Sequence, residues 1–310
     1  MENHLEDQQY RAYNPWLMLA VVIGFVFAGI IVFNIIGMFV VMGLYGLDSM
    51  DMTRITMSPE LVENARPALL IMQGIASFGS FVVVPLLIIW KYKINSINSY
   101  FKLPEKPEIG LGLIVLIMFS VMLCNSIVIE WNRNLILPES LQWFENIAKP
   151  YEEKLERITI FLTDFENPFE FILALVIVAG VAGVGEELLF RGLLQTSFVK
   201  ITKNPHIGIW LTGFLFAAFH MQFYGLVPRM LLGVVFGYLY HWSGKLSTAM
   251  FAHFLNNAFM VVMVYLFKLG VIDIDLNETE YVPNTFVLIL FFILTAVLLT
   301  TYKRYYSKDV

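Results

Sequence analysis

Charge is what this sequence has least of. Only 15% of its 310 residues are Asp, Glu, Lys or Arg, where a soluble domain carries roughly 25%, so an ordinary water-soluble globule is excluded. Cysteine is nearly absent. Cys124 stands alone in an apolar run, which rules out an intrachain disulfide and a cysteine-based zinc site within one chain. Positive charge is scarce too: 20 Lys and Arg against 25 Asp and Glu leave −5, which argues against a nucleic-acid partner. No G-x-S-x-G or H-E-x-x-H motif, internal repeat or low-complexity tract occurs. The lack of repeats weighs against an inverted-repeat transporter. Apolar surface, by contrast, is abundant. The chain is 58% hydrophobic with 27 Phe, 14 Tyr and 6 Trp, far too much to stay disordered. This is the composition of a polytopic membrane protein.

Windows free of charge mark the spans, because an unpaired charge in hydrocarbon costs several kcal/mol. Arg11 to Asp48 encloses 36 uncharged residues, Arg66 to Lys91 encloses 24, Glu108 to Glu130 encloses 21 and Glu280 to Lys303 encloses 22. Each reaches the length of about 20 residues that a transmembrane helix needs. Between Glu170 and Lys268 the apolar run is interrupted by Glu186, Glu187, Arg191, Arg229 and Lys245. Dividing it at Lys200–Pro205, Gly225–Pro228 and Ser243–Lys245 gives four more spans. The expected fold is all-α, a single membrane domain over 1–310 with about eight transmembrane helices in a bilayer.

The acidic leader and the length of the first apolar run identify a permanent anchor rather than a cleavable signal. Eleven basic residues fall on the side of the two termini against seven on the other, which predicts cytoplasmic termini in a plasma or inner membrane. The long connection 131–169 repeats Leu141, Phe144, Ile147, Tyr151, Leu155, Ile158 and Leu162 every three or four residues. That is one apolar helix face, interrupted at Pro150. A pair of amphipathic helices on the membrane surface is the expectation.

Ionisable groups inside a membrane are functional candidates by default. Glu187 and Arg191 are four apart, on one helix face, and can form an ion pair that offsets their burial. Glu186 lies about 100° round the helix and gains no such partner. It must therefore face water, a cation, a histidine or its own proton. Gly180, Gly183 and Gly185 leave room for a neighbouring backbone, as Gly233 and Gly237 do farther on. Phe216 precedes His220 by one turn, and His253 shares a helix face with Asn257, beside Asn256. Arg229, directly after Pro228, reads as a snorkelling interface residue.

A carboxylate beside a neutral imidazole can take a proton from water, and an imidazole with an amide can donate to a developing oxyanion. Together they suit peptide hydrolysis without a covalent intermediate. Glu186, His220 and His253 also have the two-histidine, one-glutamate composition of a catalytic zinc site. The expected cofactor is none, with zinc held by those three residues as the alternative.

At these residues the sequence resembles the CPBP family of intramembrane proteases, the Abi-like group that includes the CAAX prenyl endopeptidases and bacteriocin-processing and self-immunity proteins. The family pattern is E-E-x-x-x-R, then F-x-x-x-H, then H-x-x-x-N. Glu186, Glu187 and Arg191 match the first, Phe216 and His220 the second, and His253 and Asn257 the third. The resemblance covers roughly residues 170–265. It implies a membrane protein or peptide as substrate, Glu186 as general base assisted by His220, and His253 with Asn257 as oxyanion donors. Glu187 and Arg191 would hold the site together. The resemblance favours metal-free glutamate chemistry over a metalloprotease. A non-catalytic immunity-type membrane protein and a proton-coupled transporter are the competing readings.

One expectation does not close. A fourth span entering at Phe171 puts Glu186 about 22 Å below one face, and a fifth entering at Pro205 puts His220 about 22 Å below the other. In a core about 30 Å thick the two then miss each other by about 14 Å.

Overall fold

The computed structural model describes residues 14–92, 107–273 and 284–307. The acidic leader with Arg11, the basic connection 93–106 and Glu280 lie outside the described residues. No strand occurs among the described residues. The helices are α1 (Pro15–Tyr45), α2 (Ser49–Met57), α3 (Ala65–Tyr92), α4 (Pro107–Arg133) and α5 (Gln142–Thr163). They continue as α6 (Pro168–Thr202), α7 (Pro205–Phe219), α8 (Leu226–Ser243), α9 (Leu246–Lys268) and α10 (Thr285–Tyr306). Seven of them, α1, α3, α4, α6, α8, α9 and α10, lie in segments long and apolar enough to cross a membrane. The chain is an integral, multi-pass membrane protein.

Three helices start on the same dipeptide. Asn14-Pro15, Asn167-Pro168 and Asn204-Pro205 open α1, α6 and α7. In each, the asparagine side chain accepts from exposed backbone N–H groups of the first turn. The proline that follows has a φ already suited to a helix and no N–H to leave unpaired.

The span that was expected fifth is a short helix. α7 has 15 residues, about 22 Å at 1.5 Å per residue, and packs antiparallel on α8. α6 is long instead, 35 residues or about 52 Å, well beyond a hydrocarbon core of about 30 Å. This closes the depth gap. The helix runs on for 16 residues past Glu186 to Thr202, about 24 Å. α7 then returns over a comparable 22 Å through a turn in which Lys203 takes a left-handed φ of 53°. Glu186 and His220 stand level in one hairpin, and the mismatch came from fixing both helix ends at membrane faces.

The long connection folds as one helix rather than two. α5 runs straight through Pro150 and buries no residue. The carbonyl that the proline leaves without a donor belongs to exposed Asn146, where water can satisfy it, so the break costs little. Its far end is tied down by buried Arg66 of α3. That guanidinium donates to the Phe161 carbonyl at 2.8 Å and to Glu170 at 2.9 Å, and reaches Glu166 at 3.1 Å.

Candidate active site

α6 carries the first acidic pair in an unusual stretch of helix. Ala182–Glu187 is α-helical, and the flanking Leu175–Val181 and Leu188–Gln195 are wound as π-helix, a distortion that is frequent at functional sites. Gly183 lies against the backbone of α9, where an added Cβ would meet Phe254 N at 3.1 Å. That close approach brings His253 to the glutamates. On α8, Gly233 makes the same kind of contact with Gly213 of α7, 3.1 Å from where its Cβ would be. At Gly180 an added Cβ would meet only the Leu175 carbonyl of its own helix, at 4.0 Å, so the expected close packing of a neighbour holds at Gly183 and Gly185 but not there.

Glu187 and Arg191 are both fully buried and pair at 2.8 Å, as their spacing predicts. Four further contacts, invisible in local sequence, complete the cluster. Arg191 also donates to the Gly233 carbonyl at 2.7 Å, and its guanidinium lies 4.8 Å and 5.4 Å from the ring centroids of Phe216 and Phe236. Cation–π contact of this kind supports a desolvated cation. Glu187 Oε1 also meets His253 Nδ1 at 2.9 Å. A carboxylate only accepts, so Nδ1 carries a hydrogen, and the other ring nitrogen is left for a second partner.

That nitrogen, His253 Nε2, faces Glu186 Oε2 at 4.0 Å, too far for a direct hydrogen bond. Glu186 Oε2 is buried with no hydrogen-bond partner, although the side chain as a whole is 17% exposed. The second carboxylate is therefore unneutralised by Arg191, as the helix geometry requires. His253 is held flat by Phe236, stacked at 4.9 Å and 18°, and edge-on by Phe216 at 5.6 Å.

His220 closes α7. Its Nδ1 is 2.8 Å from the Phe216 carbonyl, and a carbonyl only accepts, so Nδ1 carries a hydrogen here too and Nε2 is left for another partner. Glu186 lies close enough for its charge to act on His220. Phe216 thus touches Arg191, His220 and His253 together. The next residue, Met221, has a left-handed φ of 55°, which costs a non-glycine residue about 1–2 kcal/mol.

Asn257 donates to the Val178 carbonyl at 2.8 Å in the π-helical part of α6, and accepts from Asn256 at 3.1 Å. One of its two amide hydrogens remains. Arg229 does not snorkel outward: its Nη1 is buried without a hydrogen-bond partner, packed over Gly225 where a Cβ would lie 1.8 Å away. It lines a cleft of about 790 Å³ shared with Glu145, Glu152 and Tyr224. Among the described residues, no group of three His, Cys, Asp or Glu side chains is arranged to hold a metal ion.

Comparison with known proteins points to the same stretch of chain. Residues 168–259 match the family model described as type II CAAX prenyl endopeptidase, Rce1-like, and every residue placed above at the glutamate–histidine cluster lies inside that match. An uncharacterized protein of Bacillus subtilis, YpbD, is 39% identical over 77 residues. That stretch is 24% of this chain and 36% of the relative, so the chain spans about a third of that protein's length. No solved structure matches the chain. The resemblance to the CPBP proteases thus rests on α6 to α9 and supports an intramembrane peptidase at the level of the family.

Proposed function

We propose that the chain is an intramembrane endopeptidase that cuts a membrane-associated protein or peptide with water activated by Glu186 and His220. One observation carries the reading. Of two adjacent glutamates, Glu187 binds both Arg191 and His253 through Oε1, while half-buried Glu186 forms no ion pair with Arg191 and its buried Oε2 has no hydrogen-bond partner. A carboxylate that no guanidinium occupies is free to take a proton from water. The 4.0 Å between it and His253 Nε2 suits one bridging water.

The roles follow from the atoms. Glu186 withdraws a proton from water as its oxygen adds to the carbonyl carbon, and His220 Nε2 accepts a hydrogen bond from the same water. The carbonyl oxygen becomes an oxyanion that the free N–H of Asn257 stabilises, with the His253 ring alongside. Collapse breaks the C–N bond, and the proton held on Glu186 passes to the leaving nitrogen. Glu187 and Arg191 fix His253 by its Nδ1. No cofactor enters this scheme, and both termini are placed in the cytoplasm.

Peptides released from membranes of cells making the wild-type protein are to be compared by mass spectrometry with those from cells making Glu186→Ala. The reading predicts a set of new termini present only with the wild type. Identical peptide sets, with both proteins inserted at equal levels, would remove it and leave the immunity-type reading.

A further inference from the structure

His220 hangs on a short, strained loop. Residues 220–225 join α7 to α8, and Met221, the residue after the histidine, is in the left-handed region and 67% exposed. Its own side chain therefore supplies little packing to hold that conformation. A strained backbone persists only where its surroundings over-determine it.

The hold comes from outside the family match. Asn132, on the last turn of α4 and 1% exposed, brackets the loop. Its Oδ1 accepts from Val227 N at 2.9 Å, and its Nδ2 donates to the Phe223 carbonyl at 3.3 Å. From the surface helix α5, Glu152 accepts from Tyr224 N with both oxygens, at 3.0 and 3.3 Å. Glu145 accepts from the Tyr224 hydroxyl at 3.2 Å, and Phe144 meets Phe223 edge-on at 5.1 Å. A buried amide and a surface carboxylate thus take the Phe223 carbonyl and Tyr224 N–H of the loop and the Val227 N–H in the first turn of α8.

We propose that Asn132 and Glu152 are positioning residues for His220. They fix the α7–α8 loop, and through Met221 they set where the imidazole stands relative to Glu186. The inference rests on the hydrolytic reading above. It makes α5 part of the catalytic apparatus: the amphipathic helix outside the membrane holds a histidine within it. Displacing a reacting group by about 1 Å costs about 100-fold in rate, so loosening this clamp acts on turnover and not on substrate affinity.

The test uses the full-length protein and a quenched fluorescent peptide spanning a cut found in the peptide comparison. Glu152→Ala is expected to speed amide exchange over 221–227 and to lower kcat about tenfold or more, with KM within about twofold. Glu152→Gln keeps an acceptor oxygen for Tyr224 N–H and should retain most of kcat. Asn132→Ala is the second variant, with the same expected split. Faster exchange at unchanged kcat overturns the proposal, as does a raised KM at unchanged kcat, which would mean contact with substrate. Equal losses in Glu152→Ala and Glu152→Gln overturn it too. Exchange is measured independently of cleavage, so the two readings separate. A wild type without Glu186-dependent cleavage sinks the hydrolytic reading, whereas equal exchange in wild type and Glu152→Ala sinks the clamp.

Discussion

Replacing Glu186 by glutamine should stabilise this protein while disabling it. Glu186 Oε2 is buried and pairs with no Lys or Arg, and desolvating such a group costs about 1–3 kcal/mol. Glutamine keeps the shape and removes the charge. At about 2–4 °C per kcal/mol for a chain of roughly this size, the melting temperature should rise by about 2–12 °C. Turnover should fall by about 100- to 10,000-fold, the range for loss of a general base. The control is the adjacent residue. Glu187→Gln leaves fully buried Arg191 without its counter-charge, which costs about 3–5 kcal/mol and lowers the melting temperature by roughly 6–20 °C. Thermal unfolding in detergent, followed by tryptophan fluorescence, compares the two variants directly. If Glu186→Gln loses stability as Glu187→Gln does, both glutamates are structural and the separation of their roles is refuted.

Three further outcomes follow from the same contacts. Asn257→Leu removes the proposed oxyanion donor and should lower kcat by about 100- to 1,000-fold, with KM little changed, in a steady-state peptide assay. Arg66→Leu strands buried Glu170, its 2.9 Å partner, and should cost about 3–5 kcal/mol, read as a lower melting temperature with faster amide exchange at the end of α5. A strong chelator should leave cleavage by purified protein unchanged, since the proposed water activation needs only Glu186 and His220.

Much of this architecture is legible in the chain because hydrocarbon penalises charge so heavily. The charge-free windows locate α1, α3, α4 and α10, and the i, i+4 spacing finds the Glu187–Arg191 pair. Hydropathy reports which residues are apolar, however, and not where a helix ends. α6 runs past Lys200 to Thr202, α7 stops after 15 residues, and the depth of the site follows from those ends. Contacts between distant residues leave no local trace. Nothing at His253 announces that Glu187, 66 positions earlier, binds its Nδ1, and nothing at Asn132 announces the loop at 223–227. Phe236 was missed for the same reason, since one aromatic among 27 phenylalanines carries no spacing signal. Pro150 misled because a proline breaks a buried helix far more readily than an exposed one.

The most direct test is cleavage by the purified protein in liposomes. Wild type, Glu186→Gln and His220→Ala would each be mixed with one membrane-anchored peptide and the products weighed by mass spectrometry. The account predicts a single defined cut by the wild type and intact peptide with both folded variants. The same cut made by Glu186→Gln at the wild-type rate would contradict it.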